Sequence, residues 1–340
     1  MSNNSDRTTL LELSVIFSFK NEAENLCELT SRVNRVIQSI PEVGSSYELI
    51  FVDDASEDNS NAILRDLAKT FPIKIIKMSR TFGTAPCVMA GLSASKGGAV
   101  VYMDSDLQDP PELIVEMFKL YLSGFDVVHA TRISREGEPK SKLILTWLAY
   151  KIINFFSQIK LRSQTGDFKL LSRQAVNSII SLKESDPYMR GLSVWVGFKQ
   201  SAVFYDREAR HAGETKFPLL SSNPRKEFVR GLTSFSDGPL LLSIYIGGLT
   251  CLSAIGAIIY ALIAKFFDIA VLGSSGIIIF IAFFSGMILL SNGVMGLYIS
   301  KIFFEVKNRP AYIVESIFES DQSHNTFDKK PSEKEETLRN

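Results

Sequence analysis

The chain has 340 residues, which at roughly 150 residues per domain predicts about two structural units. Its 37 basic and 37 acidic residues cancel, so no global positive field would attract nucleic acid, and we expect none as a partner. The cysteines, Cys27, Cys87 and Cys251, lie far apart without a C-x-x-C spacing, which argues against a disulfide framework or a zinc site and favours a reducing compartment.

The first 130 residues alternate between short β-branched or aromatic runs and helix-like segments. This alternation predicts crossover units and therefore an α/β fold with a largely parallel sheet. Ligands of such sheets bind at the carboxyl ends of the strands, so the residues directly after each run are the first site candidates. The predicted strands are 13–19, 48–52, 73–78, 99–103 and 126–130, and the predicted helices are 23–40, 60–70, 85–95 and 111–122.

Two aspartates follow the fourth predicted strand. Asp104 and Asp106 are two residues apart, so they project to the same side, and paired hard oxygen ligands suit a Mg²⁺ or Mn²⁺ that also holds a diphosphate. A lone D-x-D is a weak signal, but its place at a strand end, followed by Gln108, favours a metal site. The alternative is a solvated loop in which Asp109 caps the helix after Pro111.

Asp53 and Asp54 follow the second predicted strand. They form either a second acidic site or the cap of the next helix, for which Ser56 would suffice. Clustered carboxylates also occur in two-metal phosphatases and nucleases. The histidines argue against that class because they are scattered, with no H-x-x-x-H or H-x-D spacing, and we expect packing or surface roles for them. They are His129, His211 and His324.

Two long apolar runs lie between residues 240 and 300. Only Lys265 and Asp268 are charged there, and each run exceeds the ~20 residues needed to cross a bilayer as a helix. Buried core helices, the alternative, normally keep a polar stripe. The outer flanks are basic, with Arg225, Arg230 and Lys226 before and Lys301, Lys307 and Arg309 after. Both ends of the pair are therefore predicted to be cytoplasmic.

The remaining segments suit the membrane surface or disorder. Residues 143–159 carry a narrow polar line on an apolar helix, which fits an interfacial helix or, equally, a core helix packed on the sheet. Residues 223–236 form a second, basic interfacial helix. We expect no signal peptide, because Glu12 breaks the first apolar stretch. The charged, aromatic-poor sequence after Glu319 predicts a disordered tail.

Four motifs together resemble one family. They are V-I-F-S-F-K-N-E (15–22), F-V-D-D-A-S-E-D-N-S (51–60), M-D-S-D-L-Q-D-P-P-E (103–112) and R-H-A-G-E-T-K-F (210–217). They are similar to motifs of the inverting family-2 glycosyltransferases that load one sugar onto polyprenyl or dolichyl phosphate, relatives of dolichol-phosphate mannose synthase. The segment R-G-L-S-V-W-V-G-F (190–198) resembles the bacterial polyprenyl-phosphate glucosyltransferase branch. The resemblance covers residues 13 to 318.

The resemblance implies a glycosyltransferase A fold, Rossmann-like with a mostly parallel sheet, followed by interfacial helices and two C-terminal transmembrane helices. It implies transfer of a single sugar, glucose from UDP-glucose, to undecaprenyl phosphate on the cytoplasmic face of the inner membrane, with Mg²⁺ or Mn²⁺ as cofactor. The protein would be a multi-pass homo-oligomer, a tetramer. The expected divisions are an extension (1–12), a catalytic domain (13–220), an interfacial helix (221–239), membrane helices (240–264 and 276–299), a cytoplasmic segment (300–318) and a disordered tail (319–340).

The resemblance also implies roles for single residues. Those facing the nucleoside would be Glu22, Asp53 and Asp54, with Arg80 and Gly83 nearby. Asp104, Asp106 and Gln108 would hold the metal. Asp167 and Asp106 would be the catalytic residues, with Asp167 acting as base, electrostatic stabiliser or acceptor orienter. Asp167 follows one predicted helix and precedes another, so a structural cap is its alternative. The chain departs from the family pattern P-x-Y-N-E with Ser18 and Lys20, and a lysine cannot stack on a base as tyrosine does.

A lipid monophosphate acceptor arrives largely deprotonated, so it needs positioning by cations more than a base. We expect Arg132, Arg210 and Lys216 to clamp this phosphate or the departing diphosphate. Arg207 could join them, but for Arg207 and Arg135 a solvated basic patch is an equal alternative.

Two alternatives to this function remain open, and two others are disfavoured. The first is the same reaction with another donor, such as GDP-mannose, UDP-GlcNAc or a UDP-aminoarabinose derivative. The second is a membrane-anchored nucleotide-sugar-binding protein without catalysis. A transport component is disfavoured because neither span carries an ionisable residue, and a processive synthase is disfavoured because Q-x-x-R-W is missing.

Overall fold

The strands and helices are taken from a computed structural model that describes residues 11–133, 140–157, 159–160, 165–206, 222–267 and 274–320. The strands are β1 Leu13–Phe19, β2 Tyr47–Asp53, β3 Ile73–Met78, β4 Ala99–Asp104, β5 Val127–Arg132, β6 Thr165–Ser172, β7 Gln200–Tyr205 and β8 Val314–Glu319. The helices are α1 Leu26–Gln38, α2 Ser60–Leu67, α3 Thr84–Ala94, α4 Leu113–Leu122, α5 Lys140–Phe156, α6 Arg173–Ser181, α7 Met189–Trp195, α8 Ser222–Ser234, α9 Gly238–Phe266 and α10 Ser274–Val306.

The chain divides into two compact units. The first comprises Met1–Leu143, Arg162–Pro218 and Pro310–Asn340, and the second comprises Ile144–Leu161 and Leu219–Arg309.

All eight described strands of the first unit form one sheet in the order β7-β5-β6-β4-β1-β2-β3-β8. Strand β1 pairs in parallel with β2 and β4, and the pairs β2–β3 and β5–β7 are also parallel. Strand β6 is antiparallel to β4 and β5, and β8 is antiparallel to β3. The predicted α/β fold with a mostly parallel sheet is therefore confirmed, and the five predicted strands occur within two residues of their expected bounds.

Strands β1 to β4 are buried almost throughout, because helices cover both faces of a parallel sheet. Phe17 of β1 and Phe51 of β2 stack in the core with their ring centroids 4.8 Å apart. The apolar side chains of α1 and α4 pack into the same core. This rigid layer fixes the strand ends from which the candidate site is built.

A buried charged network ties the amino ends of the strands together. The Glu48 carboxylate accepts hydrogen bonds from Ser14 Oγ at 2.7 Å, Lys74 Nζ at 3.0 Å and the backbone N–H of Lys96 at 2.6 Å. Its charge is thus both paired and hydrogen-bonded, as a buried charge requires. The network lies at the opposite end of the strands from the candidate site.

Strand β8 extends this network to the C-terminal part of the chain. Glu319 accepts a hydrogen bond from Lys96 Nζ at 3.0 Å and lies 3.6 Å from Lys74 Nζ. Lys77 of β3 pairs with Glu315 at 2.9 Å. The segment after the apolar helices, expected only as a cytoplasmic stretch, therefore returns to the sheet as its edge strand.

The second unit contains most of α5 together with α8, α9 and α10. Two of its helices are long and apolar enough to cross a membrane by length and composition, Gly238–Tyr260 with a mean hydropathy of 2.0 and Phe283–Val306 with 1.5. Ser236 lies between α8 and α9 and is hydrogen-bonded to α5 and α10. Its Oγ donates to the Phe156 carbonyl, and its own carbonyl accepts from the Tyr298 hydroxyl, both at 2.7 Å. Lys301 Nζ donates to Ser234 Oγ at 2.9 Å.

Candidate active site

The carboxyl ends of three neighbouring strands bring the acidic residues together. In the sheet register Asp53 of β2 pairs with Phe19 of β1, and Asp104 of β4 pairs with Ser18 of β1. The two aspartates therefore flank the end of β1 on either side. The convergence of polar residues expected from the strand pattern is present in the structure.

Asp53 presents a buried carboxylate oxygen. Its Oδ1 accepts the backbone N–H of Ser56 at 2.8 Å, in a turn where Ala55 has a φ of 56°. Its Oδ2 is buried and has no hydrogen-bond partner among the described residues. A buried acceptor without a donor is costly, so a donor from a bound molecule would be stabilised there.

Asp54 supports the neighbouring loop. Its two oxygens accept the backbone N–H groups of Phe82 at 2.7 Å and Gly83 at 3.0 Å. Gly83 has a φ of +98° and precedes α3, a backbone conformation that a side chain would strain. Asp54 thus caps the approach to α3 and not the start of α2, a role that the sequence pattern did not predict.

The other predicted nucleoside residues border the same edge. Glu22 accepts a hydrogen bond from Asn25 Nδ2 at 2.7 Å. The exposed Arg80 guanidinium lies over the Phe82 ring, 4.0 Å from its centroid. Lys20, the departure from the family pattern, donates to Thr81 Oγ1 at 2.7 Å. Lys20 therefore joins the loops after β1 and β3.

Asp104 and Asp106 lie at the end of β4 and in the turn after it. Asp106 Oδ1 accepts the backbone N–H of Gln108 at 3.2 Å, and Leu107 between them has a φ of 58°. Burial, together with the negative charge of Asp167, raises the pKa of Asp104 to about 7. Asp109 and Asp106 act in the same direction. A bound cation would neutralise this excess of negative charge.

The described part of the chain contains no group of three or more His, Cys, Asp or Glu side chains that could hold a metal by themselves. Mg²⁺ usually binds through one or two carboxylates and completes its shell with substrate phosphates and water. Asp104 and Asp106 fit such a site, and Gln108 follows them in the same turn, where its backbone N–H donates to Asp106. Their donor set is all oxygen, as this class of ion prefers.

The end of the acidic loop is anchored by Asp109. The buried Asp109 carboxylate accepts hydrogen bonds from the Tyr205 hydroxyl and from Arg132 Nη2, the latter at 3.3 Å. Arg132 Nε also donates to the Tyr205 hydroxyl at 3.1 Å. A Cβ atom at Gly166 would come within 3.0 Å of Arg132 Nη2. Arg132 is therefore held firmly beside the loop, while the alternative in which Asp109 caps α4 is wrong.

Asp167 lies after α5 and before α6, as expected, but it belongs to a strand, β6, that the sequence pattern did not predict. The cap of α6 is Ser172, whose side chain accepts from the backbone N–H of Ala175. Asp167 instead pairs with Arg190 of α7, with Nε 3.0 Å from Oδ1 and Nη2 2.6 Å from Oδ2. Burial alone would raise the pKa of Asp167, but the attraction and hydrogen bonds of Arg190, helped by Lys169, lower it to about 2.

Lys169 is a buried residue of β6 that no sequence motif identified as part of the site. In the register of the sheet it lies opposite Tyr102 of β4 and His129 of β5. Because side chains two residues apart share a face, Lys169 shares one with Asp167, and Tyr102 shares one with Asp104. Its Nζ has no hydrogen-bond partner among the described residues, and burial lowers its pKa to about 8.

Arg190 and Tyr205 are two further site residues that no sequence pattern identified. Arg190 opens the segment that resembles the glucosyltransferase branch, which was the only signal available for it. His129 is buried and contacts Gln200, in agreement with a packing role.

Several predicted residues lie outside the described part of the chain, namely Arg135, Arg207, Arg210, Lys216, His211 and His324.

Ligands of open α/β sheets bind outside the carboxyl ends of the strands, which is where the acidic residues of this sheet lie. Residues 14–180 match the family model described as glycosyl transferase family 2.

Three relatives align along nearly the whole chain. The uncharacterized glycosyltransferase YkcC of Bacillus subtilis is 39% identical over 310 residues, which cover 91% of this chain and 94% of that protein. The uncharacterized glycosyltransferase sll0501 of Synechocystis is 36% identical and covers 91% and 96%. The SfII prophage-derived bactoprenol glucosyl transferase of Shigella flexneri is 34% identical over 312 residues and covers 89% and 97%. The chain belongs to glycosyltransferase family 2, and it is a glycosyltransferase.

Proposed function

We propose that this enzyme transfers one glucose from UDP-glucose, with inversion, to undecaprenyl phosphate at the cytoplasmic face of the inner membrane. The observation that carries this proposal is the alignment with a bactoprenol glucosyl transferase over 89% of this chain and 97% of that protein. The bond from the anomeric carbon to the diphosphate of UDP breaks. A new bond forms between that carbon and a phosphate oxygen of the acceptor, and UDP leaves.

The metal site of this proposal consists of Asp104, Asp106 and Gln108. A bound Mg²⁺ or Mn²⁺ would neutralise the charge that grows on the leaving diphosphate. The raised pKa of Asp104 supports this assignment, because it reflects negative charge that the described residues do not balance. The all-oxygen donor set supports it as well.

The nucleotide half of the site consists of Asp53, Glu22, Arg80 and the Gly83 loop. Asp53 Oδ2 is the best-placed acceptor for an N–H or O–H of the nucleoside, because it is buried without a described partner. Asp54 serves this half indirectly, since it holds the loop that carries Arg80 and Gly83.

For Asp167 we favour the role of electrostatic stabiliser. A general base works best when its pKa lies near the operating pH, and the pKa of Asp167 is about 2. The acceptor phosphate needs no base, because it is mostly ionised at neutral pH. A fixed carboxylate is instead suited to stabilise the positive charge that develops on the sugar.

The acceptor phosphate would be positioned by cations. Arg132 is a described candidate, although its contacts to Asp109 and Tyr205 restrict its movement. Arg210 and Lys216 complete the proposed set on the strength of the family motif at 210–217, and Arg207, which precedes that motif, is proposed as a further cation from the sequence alone.

The membrane part of the proposal rests on α9 and α10. The basic flanks of the pair support cytoplasmic ends, and two spans make the protein multi-pass. The exposed apolar side chains of α5, such as Trp147 and Phe155, support an interfacial position for that helix. The tetramer remains a prediction.

The decisive experiment incubates membranes that contain the protein with a panel of labelled nucleotide sugars, undecaprenyl phosphate and Mn²⁺. We expect label in the lipid fraction from UDP-glucose alone, with its loss on chelation. Lipid labelled from GDP-mannose, UDP-GlcNAc or a UDP-aminoarabinose derivative would replace glucose in the proposal. Donor binding without any lipid product would favour the non-catalytic alternative.

A further inference from the structure

We infer that Arg190 is a positioning residue of the transfer site, which holds the Asp167 carboxylate in a fixed orientation on the face of the sheet that carries Asp104. This inference rests on the proposed function, in which Asp167 acts as a fixed charge beside the reacting sugar. No motif assigned a role to Arg190.

The geometry of the pair is that of a fork. Arg190 Nε lies 3.0 and 3.2 Å from the two Asp167 oxygens, and Nη2 lies 2.6 Å from Oδ2. Two parallel N–H donors fix the plane of a carboxylate as well as its position. A single point charge, such as an ammonium group, would leave the carboxylate free to rotate.

The carboxylate needs such a partner because its surroundings disfavour a negative charge. Asp167 and Asp104 lie on one face of the neighbouring strands β6 and β4, and like charges placed there repel each other. Without Arg190 the Asp167 carboxylate would lose the two donors that hold it against this repulsion and would turn away. Arg190 makes the largest opposing contribution.

Lys169 cannot replace Arg190 in this role. It is fixed in the same strand as Asp167, and its Nζ makes no hydrogen bond to any described residue. Lys169 therefore contributes only long-range attraction, which stabilises the charge of Asp167 without setting its direction.

The helix that carries Arg190 is itself well anchored. Met189, Leu192 and Ser193 of α7 are buried, and α7 packs on β6. The Asp167 and Arg190 side chains keep 24% and 35% of their surface exposed, so the pair faces accessible space. Because Arg190 is held on an anchored helix and Asp167 is partly exposed, the ion pair can orient the carboxylate toward a bound substrate.

The test is a double-mutant cycle with the full-length enzyme in detergent, using R190Q, D167N, the double variant and R190K. We expect R190Q to lower kcat about 10²-fold, the cost of a misplaced catalytic group, with less than a threefold change in either KM. R190K should recover part of the loss, because an ammonium holds one oxygen only. The double variant should be no slower than D167N.

Mn²⁺-dependent UDP-glucose binding, followed by calorimetry, separates positioning from folding. It should be unchanged in all four variants and in R65Q, a control at Arg65, which lies over Phe318 away from the site. A wild-type kcat in R190Q, or independent losses that multiply in the double variant, would overturn the inference. Loss of donor binding in both R190Q and R190K would assign Arg190 to folding and overturn it too.

Failure of the proposed function has a different signature. In that case the wild-type enzyme does not glucosylate undecaprenyl phosphate. The double-mutant cycle is then measured with the donor and acceptor that the panel identifies. Non-additive losses of kcat in R190Q and D167N would again support the positioning role of Arg190.

Discussion

Lys169 of β6 lies directly opposite Tyr102 of β4, with its ammonium nitrogen 5.7 Å from the centroid of the tyrosine ring. A cation over an aromatic ring is attracted to it, but this attraction replaces only part of the hydration that burial removes. The nearby Asp167 adds a further attraction. The net effect is a pKa of about 8 for Lys169, below the ordinary 10.5.

We expect Lys169→Met to raise the free energy of unfolding at pH 7, by up to about 3 kcal/mol, the energy equivalent of that pKa change. Below pH 8 the wild-type protein carries the full cost of the buried charge. As pH rises from 8 to 10.5 the folded state binds fewer protons than the unfolded state, so the wild-type protein gains stability and the advantage of the variant disappears.

Thermal unfolding in detergent between pH 7 and pH 10 measures this difference. Lys119→Met, at an exposed lysine of α4, is the matched control and should show no such trend. A difference between wild type and Lys169→Met that stays constant across this range would contradict the assignment.

Asp104→Asn and Asp106→Asn should each lower kcat/KM at least ~10²-fold, because the leaving diphosphate loses its counter-charge. Asp104→Asn should not lower the melting temperature, since it removes a carboxyl group that burial and like charges disfavour. The measurements are transfer rates over a Mn²⁺ titration and thermal unfolding. Asp66→Asn, in an exposed pair with Lys69, is the control. Wild-type activity in both site variants would disprove the metal assignment.

Tyr205→Phe should cost about 1–3 kcal/mol of stability and weaken acceptor binding. The variant removes the hydroxyl that donates to Asp109 and accepts from Arg132, which leaves a buried carboxylate with fewer donors. Thermal unfolding and the KM for undecaprenyl phosphate check the two effects. Tyr312→Phe, which loses one exposed hydrogen bond to Ser93, should stay near wild type. Equal effects of the two substitutions would argue against the anchoring role of Tyr205.

A chain that stops after Ser320 should keep wild-type stability and activity, whereas one that stops after Ile313 should lose several degrees of melting temperature. The shorter chain lacks β8 and leaves Lys74 and Lys96 without Glu319. It also exposes the hydrogen-bonding edge of β3. Aggregation and unfolding assays distinguish the two chains, and equal stability would show that β8 contributes little to the fold.

The first five strands and four helices could be predicted because apolar, β-branched or aromatic residues dominate each of these strands and helix-like segments alternate with them. Strands β6 and β8 lack that signal, since Asp167, Lys169 and Glu319 place charges within them. Two of these charges, Asp167 and Glu319, pair with residues distant in sequence, as Arg190 does with Asp167 across 23 positions. Spacing along the chain cannot reveal such partners.

The candidate site shows the same division. The placement of Asp104 and Asp106 at the carboxyl edge of the sheet could be predicted, because a strand end and a two-residue spacing are local features. The interactions of Asp54 with the loop before α3, and of Asp109 with Arg132, depend on which strands become neighbours. Sheet order is a property of the whole fold, so local patterns assigned these carboxylates to the nearest helix instead.

The chain leaves the sheet after β7 at one edge and rejoins it as β8 at the other, with α8, α9 and α10 between. The sheet is thus joined to the apolar helices by two covalent connections. A protease that cut only the connection after Tyr205 would leave both fragments associated, because β8 would still be hydrogen-bonded to β3. Release of α8, α9 and α10 would require at least a second cleavage before Val314, because α5 of the same unit stays joined to the sheet and Ser236 donates a hydrogen bond to its Phe156 carbonyl.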